Sequence, residues 1–184
     1  MEYNGYTPKK IISEDRIQKR VKELASELSK KFTNESPIFI GVLNGSFMFM
    51  ADLLRFLKID CEMDFIKLSS YKGEGSTGTV RLLKDISADI TDRHVVIIED
   101  IIDSGLTIEF LKERLHGASP KSITITTLLF KPDVAKLNFP LDLIGFEIPP
   151  HFVVGYGLDY NQKLRHLPAT VSYTHLTLPT NREV

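Results

Sequence analysis

The stretch VVIIEDIIDSGLT, residues 95–107, sets two adjacent carboxylates, Glu99 and Asp100, at the end of an apolar, β-branched run. Such a run reads as a strand covered on both faces, and in an open α/β sheet ligands gather outside the carboxyl ends of the strands. In a regular strand neighbouring side chains face opposite sides, so the two carboxylates act together only where the strand ends. Asp103, Ser104, Gly105, Leu106 and Thr107 then turn into a helical pattern. The free N–H groups and dipole of a helix N-terminus favour a phosphate, and a glycine lets the backbone approach it. Carboxylates suited to sugar hydroxyls or Mg2+ beside a phosphate cradle describe a site for a phosphorylated sugar. Singly, Glu99, Asp100 and Ser104 suit a strand end and a helix cap equally well; the strand-turn-helix context of the whole string favours chemistry.

The elements that position this string follow from periodicity. Ser13 is an N-cap candidate, with Glu14 and Asp15 in the first turn and apolar residues at Ile17, Val21, Leu24 and Leu28, which predicts an amphipathic helix. After Pro37, residues 38–43 form an apolar strand bounded by Asn44-Gly45, and a helix follows over 46–57. Residues 61–70 alternate as a half-buried strand does, run into a glycine-rich stretch at 72–78, and lead to a shorter extended piece at 79–83. A helix over 106–116 is stopped by Gly117, a fully apolar strand covers 122–130, and two more strands, 143–148 and 152–156, flank Pro149-Pro150. Strands alternating with helices predict an α/β fold with a mainly parallel sheet flanked by helices.

The bulk numbers are those of one globular domain. The chain has 184 residues, 42% hydrophobic and 26% charged, with no apolar run long enough for a bilayer, which excludes a membrane-spanning helix. The N-terminal stretch MEYNGYTPKKIISED lacks a secretion-signal pattern and Cys61 has no second cysteine to pair with, so a cytoplasmic protein is expected. A net charge of -1 gives nucleic acid no overall attraction. His94, His116, His151, His166 and His175 lack the spacing of a zinc site.

The string 95–107 resembles the phosphoribosyl-pyrophosphate motif of the type I phosphoribosyltransferases, and Glu-Asp-Ile-Ile-Asp-Ser-Gly is close to its 6-oxopurine form. The resemblance covers about residues 11–168, and it implies a type I phosphoribosyltransferase core with a small hood built from terminal segments over the base. The implied activity is purine salvage, the transfer of a phosphoribosyl group to hypoxanthine or guanine with release of pyrophosphate, with Mg2+ as cofactor and a homodimer or homotetramer as the assembly. By the resemblance, Glu99 and Asp100 hold the ribose hydroxyls and Mg2+, residues 103–107 bind the 5-phosphate, and Asp103 is the base near purine N7. Leu43-Asn44-Gly45-Ser46 resembles the pyrophosphate loop; many relatives have Lys at position 44, so Asn44 and Gly45 are left a backbone role. Lys131 corresponds to the donor to the purine 6-oxo group, Phe152 and Val153 to residues that stack on the base and contact it through backbone, and Asp159 and Arg165 to those serving a second Mg2+ and pyrophosphate. Ser70-Tyr71 resembles the start of a mobile lid.

Three other readings bear on these residues. Gly73-Glu74-Gly75-Ser76-Thr77-Gly78 matches the dinucleotide fingerprint G-x-G-x-x-G, but that motif needs a helix after it and 79–83 reads as extended. An RNA-binding regulator on the same fold needs a basic face, which the net charge does not supply. Adenine or orotate transfer is the other enzymatic alternative, and Lys131 opposes adenine because the 6-amino group is itself a donor. From Ala169 the sequence loses its pattern, and VSYTHL resembles translated sequencing-adapter DNA, so a single domain over 1–168 and a non-native tail over 169–184 are expected.

Overall fold

The structure, a computed structural model, describes residues 9–71 and 79–172. After β1 (Lys9–Ile12), the Arg16 amide donates to Ser13 Oγ at 3.4 Å and starts α1 (Glu14–Lys31), whose buried face is Ile17, Val21, Leu24, Ala25 and Leu28. The chain continues through β2 (Ile38–Leu43), α2 (Phe47–Phe56), β3 (Glu62–Tyr71), β4 (Thr79–Lys84), β5 (His94–Ile102), α3 (Leu106–His116), β6 (Ser122–Phe130), β7 (Leu143–Glu147), β8 (Val153–Val154) and β9 (Thr170–Ser172). Strand β4 follows the glycine-rich stretch 72–78, which itself lies outside the described residues, so no helix stands where a dinucleotide fingerprint requires one.

The main sheet has the order β4-β3-β2-β5-β6-β7, parallel except for β4. From β2 the chain passes through α2 to β3 on one side; from β5 it passes through α3 to β6 on the other. The strand order therefore reverses between β2 and β5, and a crevice at such a switch point is where open α/β sheets bind ligands. Period-2 alternation packs the two faces. Phe39, Val96, Ile98 and Leu128 join Leu24, Leu28, Phe49 and Leu53 of α1 and α2, whereas Ile38, Ile40, Val95 and Ile97 join Ile108, Leu111 and Leu115 of α3. Each fully buried side chain of this kind contributes about 1.5–3 kcal/mol of transfer free energy, so the switch point rests on a rigid base.

A second sheet, β1-β9-β8, forms the hood from the two ends of the described chain. Two expectations change here. The strand expected over 152–156 is only Val153–Val154, because Gly155, Tyr156 and Gly157 take positive φ values of 93°, 50° and 100° and break the pleat. The fold also runs past the boundary expected at residue 168: Thr170–Ser172 pairs with both β1 and β8 and is buried, since its backbone completes the middle of the hood sheet.

Candidate active site

Strand β2 accompanies β5 only as far as the pair Gly41 and Ile98, whereas β6 stays beside β5 to Ile102 and Phe130. The strand thus continues beyond the carboxylates instead of ending at them, but from Glu99 onward one flank is free. Glu99 and Asp100 are each only 7% exposed, and their carboxyls meet directly. Burial, reinforced by the neighbouring Asp100, pushes Glu99 well above the ordinary carboxylate range. Burial also pushes Asp100 up to about 6, against the lowering effects of the Glu99 hydrogen bond, the Asp100 and Ile101 amides and the Arg165 charge. Glu99 Oε2 is buried with no hydrogen-bond partner.

The loop after β2 lies against this pair. The Leu43-Asn44 peptide is cis, and a Cβ on Gly45 would overlap the Asp100 carboxyl. A Cβ on Gly157 would in turn overlap the Gly45 carbonyl. Ser46 Oγ donates to the Val42 carbonyl at 2.7 Å, tying the loop to its own strand. Asn44 is exposed.

On the other side of β5, Asp103, Ser104 and Leu106 are exposed, Gly105 is buried and Thr107 is half-buried at the start of α3. Gly105 has φ +94°, a left-handed conformation that favours glycine, and a Cβ there would press on Leu137. The Lys136 amide donates to the Ser104 carbonyl at 3.1 Å. The segment after β6 therefore moulds the turn that opens α3, whose first amides have no intrahelical partner.

Lys131, at the end of β6, is buried, and its Nζ donates to Asp103 Oδ2 at 2.9 Å. The structure thus joins two residues that the sequence suggested separately. Phe152 is 50% exposed and meets Tyr160 edge-on, with ring centroids 6.1 Å apart, while Val153 is buried in β8. Arg165 links the far wall: it pairs with Asp159 at 2.7 Å and donates to the Gly157 carbonyl at 2.8 Å. Asp159 also accepts from the Gln162 amide at 2.8 Å. No group of three or more metal-ligating side chains that could hold an ion is gathered among the described residues. Ser70 and Tyr71 end β3, where their backbones pair with Val80 and Thr79; the lid expected after them falls on 72–78, outside the described residues.

Sequence reasoning missed the Lys131-Asp103 ion pair, the support of Gly105 by Leu137, and Gly157. Only the Gly155-Tyr156-Gly157 spacing carried a signal of the last, since flanking glycines mark backbone that must come close to something. A cleft of about 1010 Å3, lined by Lys22, Ser29, Thr33, Phe56 and Lys58 among others, sits before β2 and β3, at the amino ends of these strands. The carboxylates, the turn at 103–107 and the Lys131-Asp103 ion pair are at the opposite end.

Residues 10–161 match the family model of the phosphoribosyl transferase domain. The chain is 48% identical over 161 residues to a hypoxanthine-guanine phosphoribosyltransferase of Bacillus subtilis, covering 87% of this chain and 89% of that one. It is 45% identical to a hypoxanthine phosphoribosyltransferase of Escherichia coli, covering 89% and 93%. A crystal structure of a hypoxanthine-guanine phosphoribosyltransferase from Bacillus anthracis superposes with a TM-score of 0.86 at 46% identity, covering 91% of this chain and 99% of that one. With this family model and these relatives, the chain belongs to the phosphoribosyltransferase family, in its hypoxanthine-guanine branch.

Proposed function

We propose that the chain transfers the phosphoribosyl group of 5-phosphoribosyl 1-pyrophosphate to hypoxanthine or guanine, giving IMP or GMP and pyrophosphate. The Lys131-Asp103 pair beside the α3 cradle carries this reading. A 6-oxopurine protonated at N7 offers an acceptor, O6, next to a donor, N7–H; these match an ammonium and a carboxylate held side by side. Adenine would turn a 6-amino donor toward Lys131, which can only donate. N9 forms the bond to ribose C1 as the bond from C1 to the pyrophosphate oxygen breaks and its electron pair leaves with pyrophosphate. Asp103 takes the N7 proton, so the base is neutral in the nucleotide. Phe152 stacks on the base, and Val153 contacts its edge through backbone.

In this reading Glu99 and Asp100 hold the ribose hydroxyls, residues 103–107 hold the 5-phosphate, and Asn44, Gly45 and Arg165 face the pyrophosphate. The residues fit Mg2+: Glu99 Oε2 is a buried hard oxygen with no hydrogen-bond partner among the described residues, and Mg2+ takes one or two carboxylates while keeping waters and substrate phosphates. Glu99 and Asp100 would hold it on the ribose side and Asp159 a second ion; the metal supplies positive charge against the leaving pyrophosphate. Closure of a lid from Ser70-Tyr71 would exclude water, which competes with N9 for the same carbon. In this reading the enzyme works as a cytoplasmic homodimer or homotetramer without nucleic-acid or membrane partners. The test is turnover of hypoxanthine, guanine, adenine and orotate with the same donor. Turnover of the first two is expected; a preference for adenine or orotate overturns the assignment.

A further inference from the structure

Tyr156 is 2% exposed and sits between two glycines, all three in the left-handed region. A bulky side chain such as that of Tyr is uncommon there and needs its surroundings to hold it. The Tyr156 hydroxyl donates to Asp52 Oδ2 of α2 at 2.6 Å, and Gln18 Nε2 of α1 donates to the same oxygen at 2.7 Å. Burial, with Asp52 alongside, pushes the Tyr156 phenol well above its usual range, so it stays a donor. One residue further on, Gly157 lies against the Gly45 carbonyl and is bonded in both directions to Arg165: its carbonyl accepts from Nη1 at 2.8 Å, and its amide donates to the Arg165 carbonyl at 2.9 Å. Residues Val153 and Val154 before it are fixed independently by pairing with Ser172 and Val171.

We infer that Asp52 and Tyr156 are positioning residues for the pyrophosphate side of the reaction: through the Tyr156 hydroxyl, α2 sets where Gly157 meets Gly45 and where Arg165 stands. The inference rests on the assignment of Gly45 and Arg165 to the pyrophosphate. Because Val153 has its own anchor in the hood, loss of the Tyr156 bond acts on the donor substrate and spares the purine.

The experiment measures kcat and separate KM values in the full chain with Mg2+. Tyr156→Phe and Asp52→Ala are each expected to raise KM for phosphoribosyl pyrophosphate about tenfold, the equivalent of about 1.4 kcal/mol, with KM for hypoxanthine changed less than about twofold. The double variant should be no worse than Asp52→Ala alone, because the Tyr156 bond is already lost in that variant. Asp52→Asn, which keeps an oxygen acceptor, should recover most of the loss. Equal increases in both KM values, additive losses, or a lower melting temperature with unchanged KM would each overturn the inference. Arg165→Met separates the two levels. If it leaves donor affinity unchanged, the pyrophosphate assignment fails and the inference falls with it; if it weakens donor binding and Tyr156→Phe does not, only the inference fails.

Discussion

Replacing Asp100 with Asn should make the ligand-free protein more stable while disabling it. Burial pushes the Asp100 carboxyl from 3.8 to about 6, and each unit corresponds to about 1.4 kcal/mol, so holding the charge in the folded state costs about 3 kcal/mol at neutral pH. The sign follows from linkage. A carboxyl whose folded value is raised contributes fully to stability below the unfolded value, near 4, and that contribution is lost as the pH rises through about 6. Above this range the unfolded chain solvates a charge that the folded chain must bury. Asn keeps the shape and an acceptor for the backbone amides but has no charge to bury. The expected gain is therefore about 3 kcal/mol near pH 7.5 and about 1 kcal/mol near pH 4.5. For a chain of this length that means a rise in melting temperature of about 6–12 °C at the higher pH. Calorimetry of both proteins at the two pH values, without ligand, reads it directly, and turnover of hypoxanthine in parallel should fall by two orders of magnitude or more, about the loss of one essential electrostatic group. A melting temperature that does not rise, or rises equally at both pH values, would show that Asp100 pays no desolvation cost.

Three further outcomes are expected. Asp103→Asn should lower kcat by about 100- to 10,000-fold, the usual contribution of a general base, with donor binding little changed; an unaltered kcat removes Asp103 from the proton transfer. Lys131→Met keeps the buried stem but loses the donor, so affinity for hypoxanthine and guanine should fall while that for phosphoribosyl pyrophosphate holds; calorimetric titration of each ligand decides, and equal losses contradict the assignment. Thr170→Val and Ser172→Ala each delete a buried hydroxyl with no partner and should each stabilise the protein by about 1 kcal/mol or more; unchanged denaturation midpoints would mean that ordered water already serves both hydroxyls.

The sheet was legible because its signals are local. The apolar runs at 38–43 and 122–130 coincide with β2 and β6, and the pattern from Leu106 to the Gly117 stop coincides with α3. The site string was legible because strand, turn and helix are contiguous in it. What stayed hidden depends on pairs distant in sequence. Lys131 and Asp103 are 28 residues apart, Tyr156 and Asp52 are 104 apart, and no periodicity links either pair. Asp100 reads as a strand-end carboxylate in sequence; that β5 continues past it, leaving it buried at a flank vacated by β2, is decided by strand pairing alone. The left-handed run at 155–157 likewise erased a strand that its apolar residues favoured.

The hood shows where sequence and fold disagree. Strand β9 lies in the middle of its sheet, with Val171 packed on Val154 and Leu164, while Thr170 and Ser172, facing the other way, bury hydroxyls that find no partner among the described residues. A central strand covered on both faces favours apolar side chains on both, and a hydroxyl buried without a partner costs about 1–3 kcal/mol. The backbone register here is that of a core strand, whereas the side chains are those of a segment whose pattern ignores the core. Two such mismatches at alternate positions, directly after Ala169 where the sequence loses its pattern, are what an unrelated stretch would produce if it were read through a strand position of the fold. We therefore propose that the tail from Ala169 onward is not native, that the natural strand carries apolar residues on both faces, and that restoring them strengthens the hood over the purine without touching any residue assigned to the chemistry.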